Sequence, residues 1–391
     1  MGIVNEARDL IKKNIREYGM YIALVVIMLT FSMATDGLFM SSRNISNLIN
    51  QTGYIAVLAV GMTLIIVIRH IDLSVGYIAG FLGAIAAILL TKYAMPVWIT
   101  IAVVLVLGAS IGIIIGFLVT KMSIPSFVVT LAGMQVFRGA LLRVTSSTGT
   151  IIVPNADFNA IGNGYIPKLF SINGVHGLTL VLGAAAIVLY ILAEFNNRNN
   201  KLKYGFEVLS NVMFTVKLLF VSLVIGYITW ILAGYNGFSW TVVVVIIVVL
   251  VYNFITEKTV LGRHIYAIGG NPDAAKLSGI NVNRVSMIVF SSMSMLAALS
   301  GILYTARLQS ATTTAGLAFE LDAIAAAYVG GASAAGGAGK VTGSIIGAFV
   351  MASLTNGMNL MGVDISYQYI IRGAVLVAAV IFDVKTRNKK A

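Results

Sequence analysis

Few residues in this sequence could act as nucleophiles, metal ligands or phosphate cradles. Cysteine is absent, which removes thiolate metal sites, cysteine nucleophiles and disulfide frameworks. The three histidines, His70, His176 and His264, are scattered and have no HExxH spacing, so a catalytic metal centre is not expected. The glycine-rich run from Gly330 to Lys340 invites comparison with a nucleotide-binding loop. Such a loop needs glycine at the position of Ala334 and a hydroxyl residue at that of Val341; neither is present. The run reads instead as a flexible turn between two short helices. No catalytic residue and no cofactor follow from the sequence. If ATP drives this protein, another chain must hydrolyse it.

The remaining chemistry is in charges that lie inside or between apolar stretches. Arg69 and Asp72 fall in RHIDLSVG. Arg138 and Arg143 sit in or near an apolar stretch at 126–144. Glu320 and Asp322 open a short piece at 321–331, and Arg372 lies within the last stretch. Intramembrane charges commonly mark a transport path. The plainer alternative is that they snorkel or cap helix starts, Asp72 and Asp322 in particular. No stretch shows two acids in its middle, which counts against a proton- or sodium-coupled carrier.

The elements that hold these charges follow from composition. The chain is 59% hydrophobic and 10% charged, whereas a soluble domain carries about 25% charged residues. Lipid must cover much of the surface. A crossing helix needs about 20 apolar residues. Spans are expected near 18–35, 54–69, 76–91, 97–119, 126–144, 176–195, 214–233, 240–256, 286–305, 341–357 and 366–382. The fold class is therefore all-α: a polytopic membrane protein with a bundle of about 10–12 transmembrane helices. The first stretch has a basic lead and Ser32-Met33-Ala34 near its end, yet is long for a cleaved leader and reads as a retained span. Glycines recur four apart at Gly76/Gly80, Gly108/Gly112/Gly116 and Gly343/Gly347, a spacing that lets helix backbones approach closely. Trp98, Trp230 and Trp240 fall near span ends, as interfacial aromatics do.

The net charge of +12 would suggest nucleic acid for a soluble protein. Here the basic residues lie in short runs beside apolar spans, so no nucleic-acid partner is expected. Most fall in 1–17, 196–217, 257–284 and 383–391, while 145–175 has only Lys168. The positive-inside rule puts those four stretches in the cytoplasm and 145–175 outside. Both termini then face the cytoplasm. A single membrane domain at 18–382 would lie between a cytoplasmic segment (1–17) and a basic tail (383–391).

The longest basic loop, 257–284, contains a local helix signal. Pro272 suits a first helical turn, Asp273 complements the N-terminal dipole, and Gly279 suits the position after a helix end. A short helix over 272–278 is expected. It is either a docking helix for a cytoplasmic partner or an ordinary connection.

Four segments carry a resemblance. They are His70-Ile71-Asp72-Leu73-Ser74-Val75-Gly76; Ile124-Pro125-Ser126-Phe127-Val128-Val129-Thr130-Leu131-Ala132-Gly133-Met134; Gly262-Arg263 through Asn281; and Glu320-Leu321-Asp322-Ala323-Ile324-Ala325-Ala326 through Gly347. In this order and spacing the chain resembles the permeases of bacterial monosaccharide ABC importers, those for ribose, galactose, xylose and related sugars. The resemblance implies a non-catalytic subunit in the bacterial cytoplasmic membrane. It would work with cytoplasmic ATP-binding subunits, an extracytoplasmic sugar-binding protein and a second permease, as a homodimer, among membrane lipid. Pro272, Asp273, Ala274, Ala275, Lys276, Leu277, Ser278 and Gly279 would contact the ATPase. Asp72, Leu73, Ser74, Glu320 and Asp322 would lie near the translocation path. Loop 145–175 and the 306–319 turn would meet the binding protein. Two departures stand out. Arg69 occupies a position where a small residue is expected, and the chain is long for the ribose type. The excess falls near 196–240, which looks more like the xylose or multiple-monosaccharide branch. The rivals are an ion-coupled carrier, an ABC permease for a nucleoside or branched-chain amino acid, and an intramembrane enzyme.

Overall fold

The computed structural model describes residues 15–388. The basic residues Arg8, Lys12, Lys13, Lys389 and Lys390, and with them most of the expected N-terminal segment and the end of the tail, lie outside the described residues. The described chain is helical nearly throughout. The helices are α1 (Ile15–Ala34), α2 (Ser42–Val67), α3 (Val75–Thr91), α4 (Val97–Thr120), α5 (Ser126–Thr145), α6 (Ala156–Asn163), α7 (Gly177–Lys203), α8 (Asn211–Ala233), α9 (Trp240–Lys258), α10 (Val260–Gly270), α11 (Pro272–Leu277), α12 (Val282–Leu308), α13 (Phe319–Val329), α14 (Val341–Leu360) and α15 (Ile365–Asn388). Among the described residues nine helices are long and apolar enough to cross a membrane, and two shorter apolar ones cover Gly19–Ala34 and Val75–Thr91. This agrees with the expected all-α polytopic bundle.

The bundle has a protein-enclosed centre and an apolar periphery. Most of α2 and α12 is enclosed by protein, whereas α7, α8 and α15 show most of their surface. The periphery presents side chains such as Leu189, Phe220, Leu223 and Leu250 outward. Such a surface suits hydrocarbon, because every backbone group is already bonded inside its helix. The centre is built from small residues. Gly112 of α4 lies so close to α12 that a Cβ there would come within 2.3 Å of the Phe290 carbonyl oxygen. The four-residue glycine spacing thus marks helix contact, as expected. Trp98, Trp230 and Trp240 are exposed near helix ends, where interfacial aromatics belong.

Two helices depart furthest from their expected limits, for the same physical reason. Helix α2 starts at Ser42, well before the expected 54, although Asn44, Ser46, Asn50 and Thr52 make this stretch polar. Its polar groups are met inside the bundle. Asn44 and Asn356 exchange amide hydrogen bonds of 2.9 and 3.1 Å, the Ser46 hydroxyl lies 3.4 Å from that of Tyr165, and Ser239 donates to Asn50. Helix α7 runs on through the polar residues after 195 to Lys203. There Arg198 donates to the Leu209 carbonyl at 2.8 Å and to Asn211 at 2.7 Å, and Lys217 of α8 pairs with Glu194 at 2.8 Å. The stretch near 196–240 thus holds the end of α7, all of α8 and the turn into α9, at the edge of the bundle.

The segment after α5 forms β1 (Thr150–Ile152), α6, and a small hairpin of β2 (Ser171–Ile172) and β3 (Val175–His176). Strand β1 pairs antiparallel with β4 (Ser310–Thr312), Thr150 facing Thr312. The two loops expected on one side of the membrane are therefore joined to each other.

Candidate coupling site and translocation path

The segment 257–284 holds a pair of helices rather than the single one expected. Helix α10 precedes α11, and Asn271 ends the first and starts the second. Its side-chain oxygen accepts from the backbone N–H of Asp273 and Ala274, both at 3.0 Å, and Pro272 occupies the first turn. This is N-capping with the donor-free residue placed where its N–H would be unpaired. At the other end the Ile280 N–H donates to Ala275 O and the Gly279 N–H to Lys276 O, each at 3.0 Å. Gly279 has φ 83°. This is the Schellman arrangement, which requires a left-handed residue at that position.

Of the eight residues expected to face a partner, Ala275 is buried and Pro272 half-buried; the other six are exposed. Leu277 is 90% exposed. An apolar side chain at the tip of a capped helix is a projecting knob suited to a partner's groove.

Helices α10 and α11 are tied to the bundle interior by Arg69. Its Nε donates to the Gly269 carbonyl at 2.7 Å, and a terminal nitrogen donates to Gly270 O. These carbonyls belong to the last turn of α10, where no intrahelical donor remains, and a cation there also complements the helix dipole. Arg69 has φ 65°. That left-handed backbone explains why a small residue was expected, since glycine adopts it without cost. The glycine-rich turn closes the same junction. The Gly337 N–H donates to Val67 O at 2.9 Å, and Tyr266 donates its hydroxyl to Gly339 O at 2.6 Å. Burial, and after it the Glu257 charge, push the Tyr266 phenol up.

From Arg69 the chain turns back into the bundle. Ala79 lies against Gly301, and Gly83 against Thr305, so α3 runs parallel to α12. Val75 is then level with about Ala297, roughly 22 Å along a helix of about 40 Å. Helix α3 therefore begins near the middle of the bundle. Helix α13 begins beside it: a Cβ on Gly76 would come within 2.3 Å of Glu320 Oε2 and 2.4 Å of Gly316 O. Helix α5 covers the other side. A Cβ on Gly133 would lie 3.2 Å from Ser74 Cβ, and Thr130 Oγ1 is 3.4 Å from Ile71 O. Two broken helices thus meet N-terminus to N-terminus, the geometry transporters use to bind substrates at mid-membrane.

The acids at this junction are deeper than the sequence suggested. Asp72 is fully buried; its Oδ1 accepts from Ser74 N at 2.9 Å and Ser74 Oγ at 2.6 Å. Asp72 Oδ2 and Glu320 Oε2 are buried without a hydrogen-bond partner among the described residues. Asp72 and Glu320 come from different segments, so the expectation that no single stretch carries two acids in its middle is untouched; the fold nonetheless brings Asp72, four residues before Gly76, and Glu320, whose Oε2 faces Gly76, to one junction. Capping is corrected. Asp72 closes a local turn onto Ser74 instead of capping α3 directly, and Asp322 forms an ion pair with Arg372. Ser74 is buried beside Asp72, and Leu73 is half-buried. The sequence names both acids, but because they lie outside the long apolar runs it leaves open whether they are interfacial or capping groups; their burial depends on distant segments.

Four segments far apart in sequence thus form one connected assembly. The first, second and fourth meet around Asp72, Ser74 and Glu320. The third and the glycine-rich end of the fourth meet around Arg69. Among the described residues no cluster of three or more His, Asp or Glu could hold a metal.

Comparison with known proteins gives the same grouping. Residues 44–380 match the family described as branched-chain amino acid transport system / permease component. The chain is 43% identical over 378 residues to the xylose transport system permease protein XylH of Haemophilus influenzae, covering 96% of this chain and 98% of that one. It is 38% identical over 376 residues to the Escherichia coli protein of the same name, covering 96% and 93%. It is 35% identical over 373 residues to the ribose import permease protein RbsC of Haemophilus influenzae, covering 95% and 94%. No solved structure matches the chain. With its membrane-crossing helices and these relatives, the chain belongs to the branched-chain amino acid transport system / permease component family, as a multi-pass, non-catalytic transport subunit.

Proposed function

We propose that this chain is the membrane permease of an ATP-driven importer that carries a monosaccharide, with xylose the first substrate to test, across the bacterial cytoplasmic membrane. The observation that carries the proposal is the tie from Arg69 to the last turn of α10. It connects an exposed docking helix to the chain break that leads to the mid-membrane junction. Movement of an ATPase against α11 would be transmitted along that route to α3 and α13. The substrate assignment is supported by relatives named for xylose and ribose transport, with higher identity to the xylose permeases, at 43% and 38%, than to the ribose permease, at 35%. In this reading both termini face the cytoplasm, the β1–β4 side meets a sugar-binding protein, and two permease copies pair within the lipid.

The test is a photo-crosslinking residue at Lys276, with partners identified by mass spectrometry, together with uptake of labelled xylose competed by ribose or leucine. Crosslinking to a soluble ATPase and competition by sugar support the proposal. Competition by leucine alone moves the assignment to an amino-acid permease.

One observation favours a second reading. Buried acids with unpartnered oxygens at mid-membrane, Asp72 and Glu320, are a feature of ion-coupled carriers. Such a carrier would function without an ATPase and would stop when a protonophore collapses the ion gradient.

A further inference from the structure

Three aromatic rings from separate helices meet just beyond the α3–α13 junction. The ring centres of Tyr54 and Tyr304 are 5.1 Å apart, those of Tyr54 and Phe319 4.8 Å, and those of Tyr304 and Phe319 4.9 Å. Tyr54 comes from α2, Tyr304 from α12, and Phe319 opens α13. A three-ring cluster is ordinarily core packing, and a core tyrosine normally hides its ring and pairs its hydroxyl. This cluster differs in both respects. Tyr54 and Tyr304 are only half-buried, and neither hydroxyl has a hydrogen-bond partner among the described residues.

Charges surround the rings. Arg307 follows Tyr304 by three residues on α12, and Asp322, which pairs with Arg372, follows Phe319 by three residues on α13, so the charges share helix faces with the rings. Arg372 pairs with Asp322 one turn into α13, and both side chains are about a quarter exposed or less, at 20% and 24%. The Arg307 side chain has no hydrogen-bond partner among the described residues. Arg307 lies in the last turn of α12, at the mouth of the bundle; the Asp322–Arg372 pair, one turn into α13, lies deeper, where charge is costly unless it serves a polar path. Aromatic faces, a carboxylate and two guanidiniums also match one ligand chemistry well. A sugar ring presents a C–H face that stacks on aromatic carbon. Its paired hydroxyls accept from arginine and donate to carboxylate in charge-assisted bonds.

We propose that Tyr54, Tyr304 and Phe319, with Arg307 and the Asp322–Arg372 pair, form a transit site that a monosaccharide contacts as it passes through the bundle. The proposal rests on the sugar-permease reading and names where within it the sugar is handled. Affinity at this site is low, because conduction needs contacts weak enough to release the solute.

The chain contains no cysteine, so a single introduced thiol is a clean reporter. Tyr304→Cys and, separately, Tyr54→Cys are made in the full importer in membrane vesicles and labelled with a charged thiol reagent. D-xylose, D-ribose or leucine is present at high concentration. Leu223→Cys on the apolar outer face of α8 is the control and stays unlabelled. The expected result is labelling at either position that xylose or ribose slows at least about threefold and leucine does not. In parallel, Tyr54→Ala lowers xylose uptake about tenfold while Tyr54→Phe, which keeps the ring, loses less. Labelling that no sugar slows, or no labelling at either position, overturns the transit site. Absence of sugar uptake by the unsubstituted importer removes the sugar-permease reading and the site with it; normal uptake with unprotected thiols removes the site alone.

Discussion

Arg69 and Gly269 stand 200 residues apart in sequence and 2.7 Å apart in the fold, side-chain Nε to backbone carbonyl. The bond joins the end of α2 to the end of α10. It is charge-assisted, and such bonds contribute about 1.5–3 kcal/mol.

Two substitutions at this position separate its two physical terms. Arg69→Ala removes the bonds and keeps a left-handed non-glycine backbone. Arg69→Gly removes the same bonds and relieves a strain of about 1 kcal/mol. Thermal unfolding in detergent is expected to show Ala as the less stable variant, and both variants should lose transport. Equal stability of the two would show that the φ of 65° carries no cost.

Leu277 tests docking without touching the fold. It is 90% exposed, so Leu277→Ser should leave unfolding temperature unchanged. Burying a leucine against a partner is worth about 1.5–3 kcal/mol, so loss of the side chain should weaken ATPase association about tenfold or more. Co-purification at graded dilution measures this; unchanged retention places the contact elsewhere.

Gly76 tests the meeting of the two broken helices. A Cβ there would fall 2.3 Å from Glu320 Oε2 and 2.4 Å from the Gly316 backbone oxygen. The backbone cannot swing aside as a side chain could, so Gly76→Ala should cost about 1–3 kcal/mol. Gly139, whose added Cβ meets nothing within 4 Å, is the control: Gly139→Ala should be neutral or slightly stabilising.

Asp72→Asn separates the two modes of energy coupling. An amide oxygen at that position can still accept both bonds from Ser74, so the local turn should survive. An ATP-driven permease should then retain most of its uptake. A carrier that moves an ion on the Asp72 carboxylate should lose its uptake, and the unsubstituted protein should stop with a protonophore.

The Asp322–Arg372 pair gives a stability cycle. Both side chains are less than a third exposed, so removing one partner strands a charge. Arg372→Leu or Asp322→Leu should each destabilise by about 2 kcal/mol, and the double variant by less than either. Additive losses would show that the two groups do not depend on each other.

Much of this architecture is legible from sequence, because apolar runs of crossing length need no tertiary information. The short helix α11 is legible for a similar reason: Pro272, Asp273 and Gly279 act within a turn of themselves. What fails is whatever depends on a distant partner. Asn44 and Asn50 look like loop residues until Asn356 and Ser239 are placed against them. Asp72 looks interfacial until α5, α12 and α13 close over it. The meeting of Tyr54, Tyr304 and Phe319 has no periodic trace, since each comes from a different helix. Arg69 is intermediate: the sequence shows that it is unusual, and only the fold shows the carbonyls it serves.

The depth at which α3 begins has a consequence for the making of the protein. Helix α3 rests on α12, whose first residue is translated long after Thr91. At about 5–20 residues per second the intervening chain takes roughly 10–40 s to emerge. Over that interval only α5 is present to cover the Asp72 turn, and a short apolar segment must wait in the insertion machinery or at the lipid surface. Nascent chains halted before Val282 should therefore leave the α2–α3 turn open to protease or thiol probes, and chains extended past Val329 should close it.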